Sequence, residues 1–308
     1  MTGTTRAGIA AVVGAGGFIG AALVNRFASI GVPVDSFTRD VPFIARPGGR
    51  SPDEHPLRTL FWLAASVNPA IAEERPDLVD LDQAAFEQAV ERLEASTNPP
   101  RLVLLSSGGT VYDPAIPPPY TEASPVRART AYARSKLALE QTLSASRLPS
   151  ERTLIVRVAN AYGPGQPARR GLGVVAHWMH AAANRQPLVL MGDKETVRDY
   201  VYIGDIVDAL VDIHRTEGPL PPILNVGSGR GTTLGELAQT VLDVVDDPSV
   251  SIDARPPRSF DLSRTWLDTT LAARSLGWRP RTSLRDGVSA AWRALQDRQH
   301  ASGDQPQR

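Results

Sequence analysis

The chain has 308 residues, and its 33 Lys and Arg residues balance 33 Asp and Glu residues, which gives a formal net charge of zero. This length suits one large α/β unit or two lobes, and the zero net charge argues against nucleic acid or an anionic membrane as a partner, because both attract a strongly positive surface. The absence of cysteine excludes disulfide frameworks, thiolate zinc sites, iron–sulfur clusters and cysteine nucleophiles.

The N-terminal stretch 7–24 has no charged residue and superficially resembles a secretory or membrane-spanning segment. Glycines at positions 14, 16, 17 and 20 interrupt it, and they would weaken any helix that crossed a membrane. A buried strand at 9–13 that ends in a glycine turn explains the stretch better. We therefore expect a soluble, cytoplasmic protein.

Short apolar runs alternate with amphipathic stretches along the first half of the chain. They predict strands at residues 9–13, 32–37, 60–64, 101–105 and 153–158, and helices at 18–30, 82–95 and 130–147. Strands and helices in this alternation form an α/β fold, a doubly wound parallel sheet of the Rossmann type with helices on both faces. Such a sheet binds ligands at the carboxyl ends of its strands.

The pattern loosens after about residue 160, where proline- and glycine-rich loops surround a predicted helix at 174–183. We therefore divide the chain into a Rossmann domain of residues 1–160 with about 197–222, and a smaller C-terminal α/β lobe of about 161–196 and 223–295. The polar residues 296–308 are expected to form a disordered tail.

The segment Gly14-Ala-Gly-Gly17-Phe-Ile-Gly20 follows the first predicted strand and opens the first helix. A turn this tight requires glycine, and a pyrophosphate reaches backbone N–H groups only where no Cβ intervenes. The helix N-terminus adds donors and a favourable dipole. This context predicts a dinucleotide site, although the glycine spacing is one residue longer than the usual fingerprint. Its predicted contacts are Gly14, Gly17, Phe18, Ile19 and Gly20.

The ends of the second and third strands complete this predicted site. An Asp or Glu after the second strand would hold the ribose hydroxyls of NAD, whereas an Arg would bind the additional phosphate of NADP. Thr38 and Arg39 occupy this position, which favours NADP unless Arg39 is simply a solvated arginine. The residues at the end of the third predicted strand are assigned to the same site: Leu63, Ala64 and Ala65.

Tyr132 and Lys136 lie four residues apart on a predicted helix, so they share one helix face. A phenol is a weak base at neutral pH, but a neighbouring ammonium stabilises its phenolate. Such a pair can exchange a proton with a hydroxyl or a carbonyl while a hydride moves at the carbon. Lys136 is one of only two lysines in the chain, which indicates a role that a guanidinium cannot fill. The alternative is an ordinary surface pair.

Further motifs follow in the order typical of one enzyme family. They are the run Leu-Leu-Ser-Ser-Gly-Gly-Thr-Val-Tyr at 104–112 and the segments 157–165, 197–202, 224–229, 257–261 and 276–280. Together with the glycine turn and the Tyr–Lys pair, they resemble the extended short-chain dehydrogenase/reductases. The resemblance is to the NAD-dependent nucleotide-sugar epimerases and dehydratases of the UDP-glucose 4-epimerase type, and it covers roughly residues 8–293.

This resemblance implies that Tyr132 is the catalytic acid/base and that Lys136 holds the nicotinamide ribose, so both also contact the cofactor. It implies that the Rossmann domain binds NAD or NADP and that the smaller lobe binds a nucleotide-diphosphate sugar. Phosphate, ribose and base contacts are implied for the substrate nucleotide. The residues that match these positions are Asn160, Arg198 and Arg258 for the phosphates, Asp261 for the ribose, and the strand around Leu190 for the base.

The chain departs from the family pattern at three places. Gly108 stands where the family has a catalytic Ser or Thr, so we consider Thr110 as the replacement and Ser107 as the alternative. Thr110 points to the same side as position 108 if the chain stays extended. The Asp-Glu pair of the dehydratases is absent, because Gly109 and Thr110 hold its positions. The segment 40–58 is short and rich in Pro, Gly and Arg. Relatives contact adenine with this part of the chain, so the choice between NAD and NADP stays open.

We therefore predict a nucleotide-sugar epimerase that acts by transient hydride transfer to a bound nicotinamide cofactor. The alternatives are an NADPH-dependent reductase of a nucleotide-linked keto-sugar and a non-catalytic NAD(P)-binding sensor. No metal is expected, because no third ligand stands beside His177 and His180. The helices predicted at 82–95 and 130–147 carry apolar residues on more than one side, and the family pairs such helices in a homodimer.

Overall fold

Runs of buried apolar residues build the inner strands of the central sheet. The computed structural model describes residues 8–43, 57–168, 173–256 and 264–303. The strands of the sheet are β1 (Ile9–Val13), β2 (Val34–Phe37), β3 (Leu57–Trp62), β4 (Arg101–Ser107), β5 (Thr153–Val158) and β10 (Ile223–Val226). Their order across the six-stranded sheet is β10-β5-β4-β3-β1-β2, and every pairing is parallel.

Helices cover both faces of this sheet. The helices α1 (Phe18–Ser29) and α6 (Ile203–Arg215) pack on one face, and α3 (Pro76–Glu94) and α4 (Ala131–Ala145) pack on the other. The short helix α2 (Ile71–Glu74) precedes α3. Because all strands are parallel, their carboxyl ends meet at one edge of the sheet, where ligands bind in folds of this kind.

A second apolar core lies in the smaller lobe. It is built by α5 (Val174–Ala183), α7 (Leu234–Val245) and α9 (Leu284–Gly303) against β7 (Leu188–Met191), which pairs with β12 (Ile252–Arg255). The remaining elements are β6 (Asn160–Tyr162) paired with β9 (Tyr200–Tyr202), β8 (Val197–Arg198) paired with β11 (Thr232–Thr233), and α8 (Thr270–Leu276). In the described part of the chain, no helix is both long and apolar enough to cross a membrane.

The predicted α/β architecture is confirmed, and the structure differs from the predicted boundaries at two places. The strand β10 belongs to the central sheet, whereas the sequence places it in the smaller lobe; three of its four side chains are buried beside β5. The helix α9 continues to Gly303, whereas the sequence predicts disorder from residue 296. Leu295 anchors this helix in the second core, and residues 296–300, which follow it, are exposed.

Candidate active site

The glycine turn between β1 and α1 has a backbone that larger residues could not adopt. Gly14 has a φ of +90°, and a Cβ there would lie 2.7 Å from the backbone nitrogen of Ala64. A Cβ on Gly20 would overlap the carbonyl oxygen of Gly14. Gly17 is the N-cap of α1, and no side chain caps this end. The N–H groups of the first helical turn, which have no partner within the helix, are therefore available to a ligand.

The ends of β2 and β3 lie beside this turn. The carbonyl oxygen of Phe37 accepts hydrogen bonds of 3.0 Å from the backbone N–H groups of Gly14 and Ala15. Because Phe37 ends β2, the exposed residues that follow it stand next to the glycine turn. The predicted cofactor contacts brought to this edge are Thr38, Arg39, Leu63 and Ala64, with Ala65 exposed after them.

The helix α4 carries the predicted acid–base pair. The side chain of Thr130 caps its N-terminus, and Glu73 accepts a hydrogen bond of 2.6 Å from the backbone N–H of Ala131. Tyr132 is half-buried and Lys136 is 7% exposed. The Nζ atom of Lys136 lies 5.7 Å from the centre of the Tyr132 ring. The structure therefore brings the two side chains together, and their chemical role stays a prediction.

The position of this pair in the fold follows from the topology. The helix α4 connects the neighbouring parallel strands β4 and β5, so it runs antiparallel to them. Its N-terminal turn, with Tyr132, therefore lies at the carboxyl edge of the sheet. The glycine turn lies at the same edge, because it follows the carboxyl end of β1.

The strand β4 ends at Ser107, and Gly108, Gly109 and Thr110 then form a turn. The backbone N–H groups of Thr110 and Val111 both donate to the carbonyl oxygen of Ser107 at 3.3 Å. The chain is therefore not extended here, so the condition under which Thr110 would point to the same side as position 108 is not met. The Oγ1 atom of Thr110 is buried and has no hydrogen-bond partner among the described residues. Protein atoms enclose it, so a bound group could supply a partner only after the side chain rotates.

A residue that is distant in the sequence occupies the space beside Gly108. A Cβ on Gly108 would lie 2.6 Å from Cδ1 and 3.0 Å from Cδ2 of Leu267. Leu267 is buried, and its backbone N–H donates to the carboxylate of Asp199 at 3.2 Å. The leucine therefore fills the space into which a Ser or Thr at position 108 would project. The sequence analysis missed this pair, because no motif connects two positions so far apart in the chain.

Asp199 holds two of the predicted substrate contacts together. Its carbonyl oxygen accepts hydrogen bonds from the backbone N–H of Asn160 at 2.9 Å and from the Asn160 amide at 3.1 Å, and Arg198 precedes it. A Cβ on Gly109 would lie 3.7 Å from the Asn160 amide nitrogen, so Asn160 borders the turn after β4. The Asp199 carboxylate accepts two hydrogen bonds from Ser228, at 2.6 and 2.7 Å.

Asp199 is a residue that the sequence analysis did not single out. Burial raises the pKa of its carboxyl group, although hydrogen bonds from Ser228 act in the opposite direction. A Cβ on Gly227 would lie 2.5 Å from one of its carboxylate oxygens. The signal in the sequence was an acidic residue inside the aromatic and apolar run 197–202. Such a residue is buried only when hydrogen bonds satisfy it.

The remaining predicted substrate contacts are Leu190, Arg258 and Asp261. Leu190 lies in β7 opposite Ala254, and its buried side chain packs into the second core. A contact from this strand to a ligand would therefore use the backbone rather than the leucine side chain. Arg258 and Asp261 lie outside the described residues.

A buried polar cluster that the sequence analysis missed joins α4 to β4 and β5. Glu140 accepts hydrogen bonds from Nε of Arg157 at 3.1 Å, from Nη2 of Arg157 at 2.6 Å and from the hydroxyl of Ser106. We name Ser106, Glu140 and Arg157 the anchor cluster. The side chains of Arg157 and Glu140 are 5% and 6% exposed. Burial acts to lower the pKa of Arg157, but the hydrogen bonds and charge of Glu140 outweigh it, and the pKa is raised.

Within the described ranges, no group of three or more His, Cys, Asp or Glu side chains is arranged to hold a metal ion. The two histidines singled out from the sequence, His177 and His180, lie on α5. The expected absence of a metal stays a prediction.

Comparison with known proteins identifies the family of this chain. The profile of the NAD dependent epimerase/dehydratase family matches residues 10–227. The chain belongs to this family. The family is NAD-dependent, and the relatives described below are named as enzymes, so the expected enzyme class and nicotinamide cofactor are confirmed.

Individual proteins are similar to this chain over most of its length. The UDP-glucose 4-epimerase of Mycolicibacterium smegmatis is 31% identical, over 90% of this chain and 95% of the relative. The dTDP-4-dehydro-6-deoxyglucose reductase of Escherichia coli is 28% identical, over 76% of this chain and 73% of the relative. The solved structure of the Thermus thermophilus UDP-glucose 4-epimerase complex with NAD is 26% identical, with a TM-score of 0.78 over 94% of this chain and 99% of that chain.

Proposed function

We propose that this family member is a nucleotide-sugar epimerase with Tyr132 as its acid/base. The observation that carries the proposal is the contact between Tyr132 and Lys136, with the ammonium 5.7 Å from the ring centre, at the ligand-binding edge of the sheet. Similarity to a UDP-glucose 4-epimerase over 90% of the chain supports this activity. Gly109 and Thr110 argue against a dehydratase, because elimination of water needs an acid near the leaving hydroxyl.

The residues around the glycine turn fit a dinucleotide. The absence of a Cβ at Gly14 and Gly20 lets the turn pack tightly against the end of β3 and the start of α1. The uncapped end of α1 then offers the N–H groups of Phe18 and Ile19 to a pyrophosphate. Lys136 would hold the nicotinamide ribose. When bound, the nicotinamide supplies a reversible acceptor for hydride.

Tyr132 has the central chemical role in this proposal. Its Oη atom takes the proton of a sugar hydroxyl during oxidation and returns a proton to the same sugar oxygen during reduction. Lys136 is buried beside the phenol, so water screens the interaction between its ammonium and the Tyr132 ring only weakly. The hydroxyl of Thr110 donates a hydrogen bond to the reacting sugar oxygen. We prefer Thr110 to Ser107 because its hydroxyl has no partner among the described residues, and a rotation of the side chain brings this enclosed atom to the substrate.

The smaller lobe binds the nucleotide part of the substrate in this proposal. Asn160 and Arg198 bind the diphosphate, and the hydrogen bonds of Asn160 to Asp199 support their joint placement. Arg258 and Asp261 would complete the contacts to phosphate and ribose. An epimerase must present either face of its ketone to the cofactor, so the nucleotide rather than the sugar has to provide most of the binding.

Turnover without added cofactor tests the proposed activity. The purified protein is incubated with UDP-glucose and, separately, with its 4-epimer, and the products are separated by chromatography. The cofactor released on denaturation is identified at the same time. We expect interconversion of the two sugars with no net consumption of cofactor, and tightly held NAD in the purified protein. A protein that converts neither sugar, but consumes NADPH with a nucleotide-linked keto-sugar, would contradict the proposal.

That last outcome defines the second candidate, an NADPH-dependent reductase of a nucleotide-linked keto-sugar. Arg39 favours it, because this exposed residue follows β2 beside the glycine turn, where an arginine binds the additional phosphate of NADP. Similarity to the E. coli dTDP-4-dehydro-6-deoxyglucose reductase over 76% of the chain also supports it.

We further propose a homodimer formed through α3 and α4. The apolar residues of α3 that pack on the sheet cannot contribute, since Phe86, Val90 and Leu93 are buried within the monomer. Leu81, on the outer side of α3, is 62% exposed. A hydrogen bond of 2.8 Å between Gln83 and Thr142 joins α3 and α4 into one surface. Light scattering at micromolar concentration should give twice the chain mass, and a monomeric mass would contradict the dimer.

A further inference from the structure

The anchor cluster has no place among the contacts proposed for cofactor or substrate, yet it joins the elements that carry them. Glu140 lies on α4, one helical turn after Lys136, and Ser106 is the penultimate residue of β4. Arg157 lies in β5, three residues before Asn160. The cluster therefore ties the helix of the acid–base pair to the two strands whose ends carry the proposed hydroxyl and phosphate contacts.

Net stability is a poor explanation for such a buried pair. The desolvation of two charges offsets most of their attraction, and well-packed apolar groups of similar volume are often as stabilising. What the pair adds is geometry, because Arg157 binds the Glu140 carboxylate through two parallel N–H groups. Leu139 and Leu143 also pack α4 against the sheet, but apolar contacts tolerate small shifts more readily than a bidentate hydrogen-bonded pair does.

The guanidinium of Arg157 is itself held on its other side. It lies 4.8 Å from the centre of the Tyr112 ring, and the Tyr112 hydroxyl donates to the side-chain oxygen of Asn225 at 2.6 Å. The Asn225 amide in turn donates to the carbonyl oxygen of Tyr120 at 2.9 Å. The arginine side chain is therefore held in place on the sheet. Its hydrogen bonds to Glu140 hold α4 in a fixed position relative to the sheet.

We propose that Glu140 and Arg157 are positioning residues that fix α4, and with it Tyr132 and Lys136, relative to the carboxyl ends of β4 and β5. The inference rests on the proposed function, because proton transfer by Tyr132 is the step that the positioning serves. A displacement of about 1 Å in such a site is enough to lower a rate by about 100-fold.

Arg101 provides a matched control. It is also a buried arginine of the central sheet, and it donates hydrogen bonds to the carbonyl oxygens of Ile213, Thr216 and Gly218 at 2.7–2.9 Å. It is the first residue of β4, so it lies at the opposite end of that strand from the proposed active site. Its removal costs buried hydrogen bonds without touching α4.

The test compares three variants in the full-length protein. The apolar variant combines Ser106→Ala, Glu140→Leu and Arg157→Met, which removes the whole cluster and leaves the net charge unchanged. The second variant is Glu140→Gln, which retains the shape of the side chain. The third is the control Arg101→Met. For each, the melting temperature, the content of bound cofactor, kcat and KM for the nucleotide sugar, and the pH profile of kcat are measured.

We expect the apolar variant to retain its cofactor and a KM within about threefold of the wild type, and to lose about 10- to 100-fold in kcat. The pH profile of kcat should also shift, which a loss of stability alone would not cause. Glu140→Gln should be intermediate in kcat. Arg101→Met should lower the melting temperature and leave kcat and its pH profile unchanged. If the apolar variant does not fold, Glu140→Gln is compared with Arg101→Met in its place.

Equal kcat values for the cluster variants and for Arg101→Met would overturn the positioning role. A wild-type protein that turns over no nucleotide sugar would contradict the proposed function instead. In that case, amide hydrogen exchange along α4 tests whether the anchor cluster positions this helix. Faster exchange in the apolar variant, but not in Arg101→Met, would support it, and equal exchange in the two would contradict it.

Discussion

Two glycine-containing turns lie at the same edge of the sheet, and different kinds of protein atoms occupy the place of the missing Cβ in each. At Gly14 and Gly20, the atoms that a Cβ would meet are backbone atoms of the turn itself and of the neighbouring strand end, and the helix end beside them has no side-chain cap. At Gly108, the atoms that a Cβ would meet are the methyl groups of Leu267. At the first turn the backbone itself takes the place of the Cβ, which allows the tight turn in front of the uncapped helix, whereas at the second turn a side chain from a distant part of the sequence takes it.

This difference matters for how glycines in a motif are interpreted. A glycine indicates that space or an unusual backbone is required at its position. What occupies the space is decided by residues that are close only after folding. The comparison also predicts different tolerance to substitution, because the backbone around Gly20 cannot move aside, while the end of the Leu267 side chain can.

Among the variants that test this comparison, the largest effect is expected for Gly20→Ala. Its Cβ would overlap the carbonyl oxygen of Gly14, so the turn must open, and cofactor affinity should fall about 100-fold or more. Titration calorimetry with NAD measures this loss. The control is Gly218→Ala, because a Cβ at Gly218 would meet nothing within 4 Å. Unchanged affinity in Gly20→Ala would show that the turn does not hold the cofactor.

Thr110→Val should have the next largest effect, on turnover rather than on binding. Loss of the hydrogen bond to the reacting oxygen should lower kcat about 10- to 100-fold. The melting temperature should stay the same or rise, because the buried Oγ1 has no partner among the described residues. Ser107→Ala is the matched control and should retain kcat within about threefold. The reverse pattern would assign the hydroxyl to Ser107.

A double-mutant cycle tests the packing of Leu267 against Gly108. Gly108→Ala should reduce the free energy of unfolding by about 1–3 kcal/mol through overpacking against Leu267, and Leu267→Ala should reduce it by about 2–5 kcal/mol through a cavity. The double variant should be more stable than Leu267→Ala alone, because the new methyl group occupies part of that cavity. Chemical denaturation measures all four proteins, and additive losses would contradict the contact.

The smallest effect is expected for Arg39→Ala, which concerns the choice of cofactor at the glycine turn. One charge-assisted hydrogen bond to the additional phosphate would be lost, so the affinity for NADP should fall about tenfold while that for NAD stays constant. Competitive binding of the two cofactors measures this. Equal losses for both cofactors would mean that Arg39 does not distinguish them, and would remove its support for the reductase.

The parts of the fold that local patterns determine could be predicted from the sequence. The fully apolar run Ile9–Val13 forms its strand at the predicted residues, and Tyr132 and Lys136 meet because helical spacing brings them together. Boundaries that depend on pairing were less accurate. The third strand was predicted at 60–64 but runs Leu57–Trp62, because its register is set by its neighbours β1 and β4.

The parts of the site that depend on distant pairs could not be predicted. Leu267 meets Gly108, Asp199 holds Asn160, and Glu140 binds Arg157 only when separate elements pack. The sequence left the path from Ser107 to Thr110 open for a related reason, since glycine permits a turn without requiring one. Only the packed structure determines that the chain turns there.

Turnover by the Tyr132→Phe variant tests the central claim most directly. This substitution removes the proton-transfer group and leaves Lys136 and the glycine turn in place. The account predicts a kcat lower by about 10²- to 10⁴-fold, with cofactor content and melting temperature close to those of the wild type. Lys136→Arg, which keeps the charge, should lose almost as much. A Tyr132→Phe enzyme that keeps more than about a tenth of the wild-type rate would contradict acid–base catalysis by Tyr132.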